Sequence, residues 1–110
     1  MIITILEYQT EEGFSPFTYW FDGLNAEAAT KIRTAVARLE LGNTSNIKWF
    51  TGIGEYIINW GPGYRIYLAK EGEQLILLLG GGTKKTQTKD IEKAKAFLKE
   101  YKARKKRSQK

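Results

Sequence analysis

The chain predicts a single α+β domain: one twisted, mainly antiparallel sheet with helices packed on it. Three observations carry this. Apolar residues recur at helical spacing between residues 14 and 41, and again after residue 88. Between residues 48 and 79 the period changes to that of strands, interrupted by two short glycine-containing turns. At 110 residues there is room for one core and one domain.

Residues 2–8 are rich in β-branched side chains and read as a first strand, which Glu11, Glu12 and Gly13 break. Phe14, Phe17, Trp20, Phe21 and Leu24 follow at spacings of three and four. With Ser15-Pro16 near its start, the segment 14–24 reads as a short amphipathic helix whose aromatic residues serve packing. Asn25 is placed to cap a second helix, 26–41, with Ala29, Ile32, Val36 and Leu39 as its stripe and Gly42-Asn43 as its end. So short a link implies a helical hairpin.

Strands are expected at 55–60, 64–70 and 74–79, joined by the turns Gly61-Pro62-Gly63 and Glu71-Gly72-Glu73 into an antiparallel meander. The third has no polar alternation, so it should be buried on both faces, lie centrally and stop at Gly80-Gly81-Gly82. Alternation puts Arg65, Tyr67 and Ala69 on one face of the second strand, the wetter one. A last helix begins near Thr88 as N-cap, with Asp90 complementing its dipole and Ile91, Ala94, Phe97, Leu98 and Tyr101 along one side. The order is β-α-α-β-β-β-α, a domain over residues 1–103 followed by a basic, fraying tail, 104–110.

The chain has neither cysteine nor histidine. Disulfides, thiolate metal sites, the usual general base and the commonest metal ligand are therefore absent, and no metal or other cofactor is expected. Catalysis falls to Lys, Arg, Tyr, Glu, Asp or hydroxyls. The apolar start is too short for a signal peptide and lacks a basic leader, and no window approaches the ~20 apolar residues of a membrane span. The expectation is a cytoplasmic protein without a membrane partner.

Charge is polarised. Residues 1–47 carry net −3 and residues 48–110 net +9, giving the overall +6. Such a half suits a polyanionic partner, nucleic acid or an acidic protein, and serves solubility equally well.

The segment with most chemistry is Leu-Ile-Leu-Leu-Leu-Gly-Gly-Gly-Thr-Lys-Lys-Thr-Gln-Thr-Lys-Asp, residues 75–90. Lys84 and Lys85 leave the third strand just after the glycines, which would let backbone approach a phosphate closely. Like charges side by side favour loss of one proton, so one lysine serves as base while the other stabilises charge. Arg65 supplies a fork that clamps phosphate through two hydrogen bonds. These three are the catalytic candidates. Thr83, Gln87 and Lys89 are candidate RNA contacts. Tyr67 is a candidate for stacking on a base, and Arg104, Lys105 and Lys106 for gripping phosphates. Glu55 reads either as a base or as an anchor for a lysine. Cleaving RNA without a metal requires deprotonation of the 2′-hydroxyl, charge stabilisation at the non-bridging oxygens and protonation of the 5′-oxygen.

Tyr-Ile-Ile-Asn-Trp-Gly-Pro-Gly-Tyr-Arg-Ile-Tyr (56–67) and Leu-Leu-Leu-Gly-Gly-Gly-Thr-Lys-Lys-Thr-Gln-Thr-Lys-Asp-Ile (77–91) resemble the RelE/HigB-like toxins of type II toxin–antitoxin modules, in particular the addiction-module killer subgroup of the RelE/ParE superfamily. The resemblance spans roughly residues 2–102. It implies a microbial-RNase-like fold and a ribosome-dependent, metal-independent mRNA endoribonuclease that inhibits translation. It also implies neutralisation by a helix-turn-helix antitoxin, through which alone operator DNA would be met. The family carries a phosphate-contacting arginine at the position of Arg65. Relatives with a histidine or tyrosine near the chain end differ from this chain, whose only tyrosine after the lysine cluster is Tyr101. That departure keeps two alternatives open: a ParE-like toxin acting on DNA gyrase, and a non-catalytic RNA-binding module.

Overall fold

In the computed structural model, which describes residues 2–109, Ser15 and Asn25 start the first two helices. The Ser15 hydroxyl accepts from the Thr18 N–H at the head of α1 (Pro16–Asp22), and Asn25 accepts from the Ala28 N–H at the head of α2 (Ala26–Glu40). Each side chain satisfies a donor that the first helical turn leaves open. Gly42, at φ +88°, turns the chain after α2.

Before them comes β1 (Thr4–Glu7), and after them β2 (Ile47–Trp49), β3 (Gly54–Ile58), β4 (Tyr64–Lys70) and β5 (Leu75–Thr83). A 3₁₀ turn, Lys84–Thr86, leads directly into α3 (Gln87–Ser108). The strands form one mixed sheet in the order β1-β5-β4-β3-β2, with β1 parallel to β5 and every other pair antiparallel. The α+β class and the meander stand. The short edge strand β2 is an addition, and β4, not β5, occupies the middle.

The sheet separates two cores. Tyr56, Tyr64, Ile66, Leu68, Ile76 and Leu78 face α1 and α2, where they meet Phe17, Ile32 and Leu39. Ile53, Tyr67, Ala69, Leu77 and Leu79 face α3, where they meet Ala94 and Leu98. Both faces of β4 are therefore buried. The expectation of a wet Arg65 face fails because α3, 22 residues long, lies across it.

The glycine run is also corrected. β5 does not stop at Leu79 but continues through Gly80-Gly81-Gly82 to Thr83. An added Cβ at Gly81 would fall well under 3.0 Å from the Trp20 ring, and one at Gly82 would run into the Asp90 carboxylate. These glycines let α1 and α3 seat against the strand, a packing role instead of an approach to phosphate. The helix start moves as well. Thr86, not Thr88, is the N-cap residue of α3, and its hydroxyl donates to the Asp90 carboxylate.

The basic end is helical up to Ser108 and tied down, not frayed, so the boundary drawn at residue 103 falls inside α3. Arg104 donates to the Gln9 carbonyl and pairs with Glu100, Lys105 pairs with Glu71 at 2.7 Å, and Arg107 pairs with Glu11 at 3.0 Å. Residues 1 and 110, the outer limits of the predicted domain and tail, lie outside the described residues. Among the described residues no helix is long and apolar enough to cross a membrane.

Tyr8 joins β1 to α3 through a hydrogen bond from its hydroxyl to Glu100. Burial first, then that bond and the charge of Glu100, push its pKa from 10.0 up to about 12. The folded state holds the phenol proton more tightly than the unfolded state. The resulting stabilisation is full below pH 10.0 and fades as pH rises towards about 12. In urea unfolding, the wild type is expected to exceed Tyr8→Phe in stability at neutral pH, and the gap to narrow across that window. A gap independent of pH would refute the assignment.

Candidate functional site

The hairpin Gly61-Pro62-Gly63 lets β3 run antiparallel to β4, which sets Glu55 opposite Tyr67 and Ile57 opposite Arg65. Directly opposed residues share a face, so Glu55, Tyr67 and Arg65 all point towards α3. Glu55 is wholly buried. Its Oε2 accepts from the Tyr67 hydroxyl at 3.2 Å and from Gln87 Nε2 at 2.8 Å, and lies 3.6 Å from Arg65 Nε. Burial first, then the charge of Glu55, drive the Tyr67 pKa upward, so this phenol stays protonated as a donor.

Arg65 is 8 % exposed. Its Nη1 donates to the Gly63 carbonyl at 2.6 Å, and the backbone N–H of Lys84 donates to that same carbonyl at 3.0 Å. One carbonyl oxygen thus joins the arginine to the first lysine of the 3₁₀ turn. Gly63 is required there: its φ is +74°, and a Cβ would sit 2.7 Å from Arg65 Nη1. Nη2 makes no hydrogen bond among the described residues, and Glu55 Oε1 and Arg65 Nε are buried without a hydrogen-bond partner.

Lys84 and Lys85 are exposed on the turn, and Lys89 is exposed in the first turn of α3. Lys85, Thr86, Thr88, Lys89 and Glu92 line a shallow depression beside them. None of Lys84, Lys85 and Lys89 forms an ion pair among the described residues. The arrangement is a fixed arginine and three free cations at one end of the sheet, able to engage an anion with several oxygens.

Arg65 and Lys84 therefore meet at one carbonyl, and Lys85 and Lys89 follow on the same 3₁₀ turn and in the first turn of α3. The other candidates do not join them. Gln87 turns inward to Glu55. Tyr67 is 1 % exposed and cannot stack on a base. Thr83 brackets the Thr86 hydroxyl with its backbone N–H and carbonyl at the start of the turn. Arg104, Lys105 and Lys106 lie at the far end of α3, about 25 Å from its start at 1.5 Å per residue. Arg104 and Lys105 are committed to Gln9, Glu100 and Glu71. Tyr101 donates to Glu71.

The role of Glu55 escaped the sequence reading. It anchors neither a lysine nor a proton transfer at the surface but the buried arginine. Lys48, its neighbour across β2, lies instead over the Phe50 ring. The signal was available in the hairpin: the turn at 61–63 aligns Glu55 with Tyr67, and alternation adds Arg65. Among the described residues no group of three or more His, Cys, Asp or Glu is placed to hold a metal ion.

The fold and site define an α+β domain with a lysine-bearing turn mounted over a buried Arg–Glu pair. No protein-family model matches the chain. An uncharacterized protein of Haemophilus influenzae (strain ATCC 51907 / DSM 11121 / KW20 / Rd) is 43% identical over 86 residues, covering 76% of this chain and 87% of that protein. The chain belongs to the same family as that protein.

Proposed function

We propose that this protein is the toxin of a type II toxin–antitoxin module, with a RelE-like fold and the activity of a ribosome-dependent mRNA endoribonuclease. The observation that carries the reading is the shared Gly63 carbonyl, which fixes the Arg65 guanidinium beside the Lys84–Lys85 turn. In the reaction, the 2′-oxygen of one nucleotide forms a bond to the adjacent phosphorus as the bond to the 5′-oxygen breaks, leaving a 2′,3′-cyclic phosphate. Arg65, held at Nη1, offers its free Nη2 to a non-bridging oxygen and stabilises the charge gathering there. One of the Lys84 and Lys85 amines takes the 2′-hydroxyl proton, and the ammonium of the other supplies further positive charge and the proton for the 5′-oxygen. Glu55, wholly buried, orients the arginine and does not meet the 2′-hydroxyl. The neutralising partner is a helix-turn-helix antitoxin whose acidic residues complement the lysine turn.

The test is controlled expression in bacteria of the wild type and of a folded Arg65→Ala, Lys84→Ala, Lys85→Ala variant, with new mRNA 5′ ends mapped in both. Growth arrest with in-frame cuts in translated messages is expected for the wild type only. Arrest with DNA synthesis blocked and mRNA intact would replace this reading with a gyrase-directed toxin. Absence of arrest would leave an RNA-binding module.

A further inference from the structure

β1 pairs with β5 only over Leu75–Leu78, so the outer edge of β5 from Leu79 to Thr83 faces no strand. The register fixes which backbone groups point there. Gly80 and Gly82 stand opposite Tyr67 and Arg65, and the Lys84 N–H bonds the Gly63 carbonyl. Even-numbered residues of this stretch therefore bond towards β4, and the N–H and C=O of Gly81 point outward. They open into a groove of about 360 Å³ between α1 and α3. Its walls are Phe14, Tyr19 and Trp20 on one side and Asp90, Lys93 and Phe97 on the other.

Two of these aromatics are conspicuous in water: Phe14 is 47% exposed and Tyr19 73%, with ring centroids 5.5 Å apart. The groove is also joined to the cation site. Lys89 and Lys93 are neighbours one helical turn apart, forming a ridge that leads from the lysine turn to the groove. Gly81 lies three residues before Lys84, about 10 Å along the strand.

We infer that this groove holds a base of the RNA whose phosphate lies at Arg65 and Lys84, with the base stacked on Phe14 and Tyr19. The inference rests on the function proposed above and adds its base contact. Aromatic faces beside a track of cations are how single-stranded RNA is held, the rings taking bases while the cations take phosphates. The outward N–H and C=O of Gly81 form an adjacent donor and acceptor, a pair that the Watson–Crick edge of a base can meet. The cations flanking the groove, none ion-paired among the described residues, favour this polyanion over an apolar peptide laid along the open strand edge.

The experiment is fluorescence anisotropy at low salt with a labelled, single-stranded 2′-O-methyl RNA, which binds without being cut. The same oligomer is compared with one abasic nucleotide introduced at each position in turn. Wild type, the exposed-surface variant Phe14→Ala/Tyr19→Ala and Arg65→Ala/Lys84→Ala are measured alongside. One abasic position is expected to weaken wild-type binding by about tenfold or more, the worth of one stacked base. The aromatic variant is expected to lose the same factor and to become indifferent to that position. RNA binding that depends on Arg65 and Lys84, but is unchanged by the aromatic variant and by every abasic site, would overturn the base site alone and leave the open edge to a protein strand. No binding by the wild type would overturn the RNA reading of the cation site, and the base site with it.

Discussion

Gly81→Ala is expected to destabilise the fold by about 3 kcal/mol, the upper range for forcing a methyl group into a packed site. At this chain length that is a fall of roughly 10–15 °C in the unfolding midpoint. Three ring atoms of Trp20 lie well under 3.0 Å from where the added carbon would sit. The ring has little freedom to withdraw, because Phe17 packs on it at 5.9 Å and Tyr64 meets it edge-on at 6.3 Å between centroids. Gly82→Ala should be milder despite a nominally closer contact, since the obstructing atom is a carboxylate oxygen that can swing aside. Its main loss is the hydrogen bond from Thr86 to Asp90 at the head of α3, about 1 kcal/mol. Thermal unfolding of Gly81→Ala, Trp20→Leu and the double variant decides the matter. If the clash is the cause, the double variant will be more stable than the two single effects added together. Simple additivity, or a Gly81→Ala protein as stable as the wild type, would mean that the glycines do not serve helix seating.

That experiment bears on what the sequence disclosed. Ser15, Asn25 and the stripe from Ala29 to Leu39 announce α1 and α2 because capping and helical period are local properties, written within a few neighbouring residues. Residues 64–70 appear as a strand with the observed bounds for the same reason: a turn on each side delimits an apolar run. Three consecutive glycines are ambiguous locally. They read as a strand end, whereas the purpose of Gly81 and Gly82 lies in Trp20 and Asp90, one of them far away in the chain. Distance also hid the burial of Arg65 and Tyr67, which depends on α3 crossing a face that alternation alone would leave wet. Of the candidate site, the cations clustered around one turn were legible. The carboxylate beneath them was legible only in part, because the turn at 61–63 gives its register but its burial and its bond to Gln87 depend on the covering helix.

Glu55→Ala should be the most damaging polar substitution, at about 3–5 kcal/mol, because removing one member of a buried pair leaves the other charge uncompensated. Three donors lose their acceptor or counter-ion together: the Tyr67 hydroxyl, the Gln87 amide and the Arg65 guanidinium. Glu55→Ala/Arg65→Ala should then be more stable than Glu55→Ala alone, since the orphaned cation is gone, although a cavity remains. A double variant weaker than the single by the full Arg65 penalty would show that the two residues act independently. Glu55→Gln separates structure from chemistry. The amide oxygen still accepts from Tyr67 and Gln87, so the fold should survive, while the charge facing Arg65 Nε is lost. Arg65 would then be tethered only at Nη1 by the Gly63 carbonyl. On the toxin function proposed above, folded Glu55→Gln should lose mRNA cleavage while keeping antitoxin binding, because the guanidinium no longer points one way. Full cleavage by this variant would make the Glu55 pair a support of the sheet alone and confine the chemistry to the lysine turn.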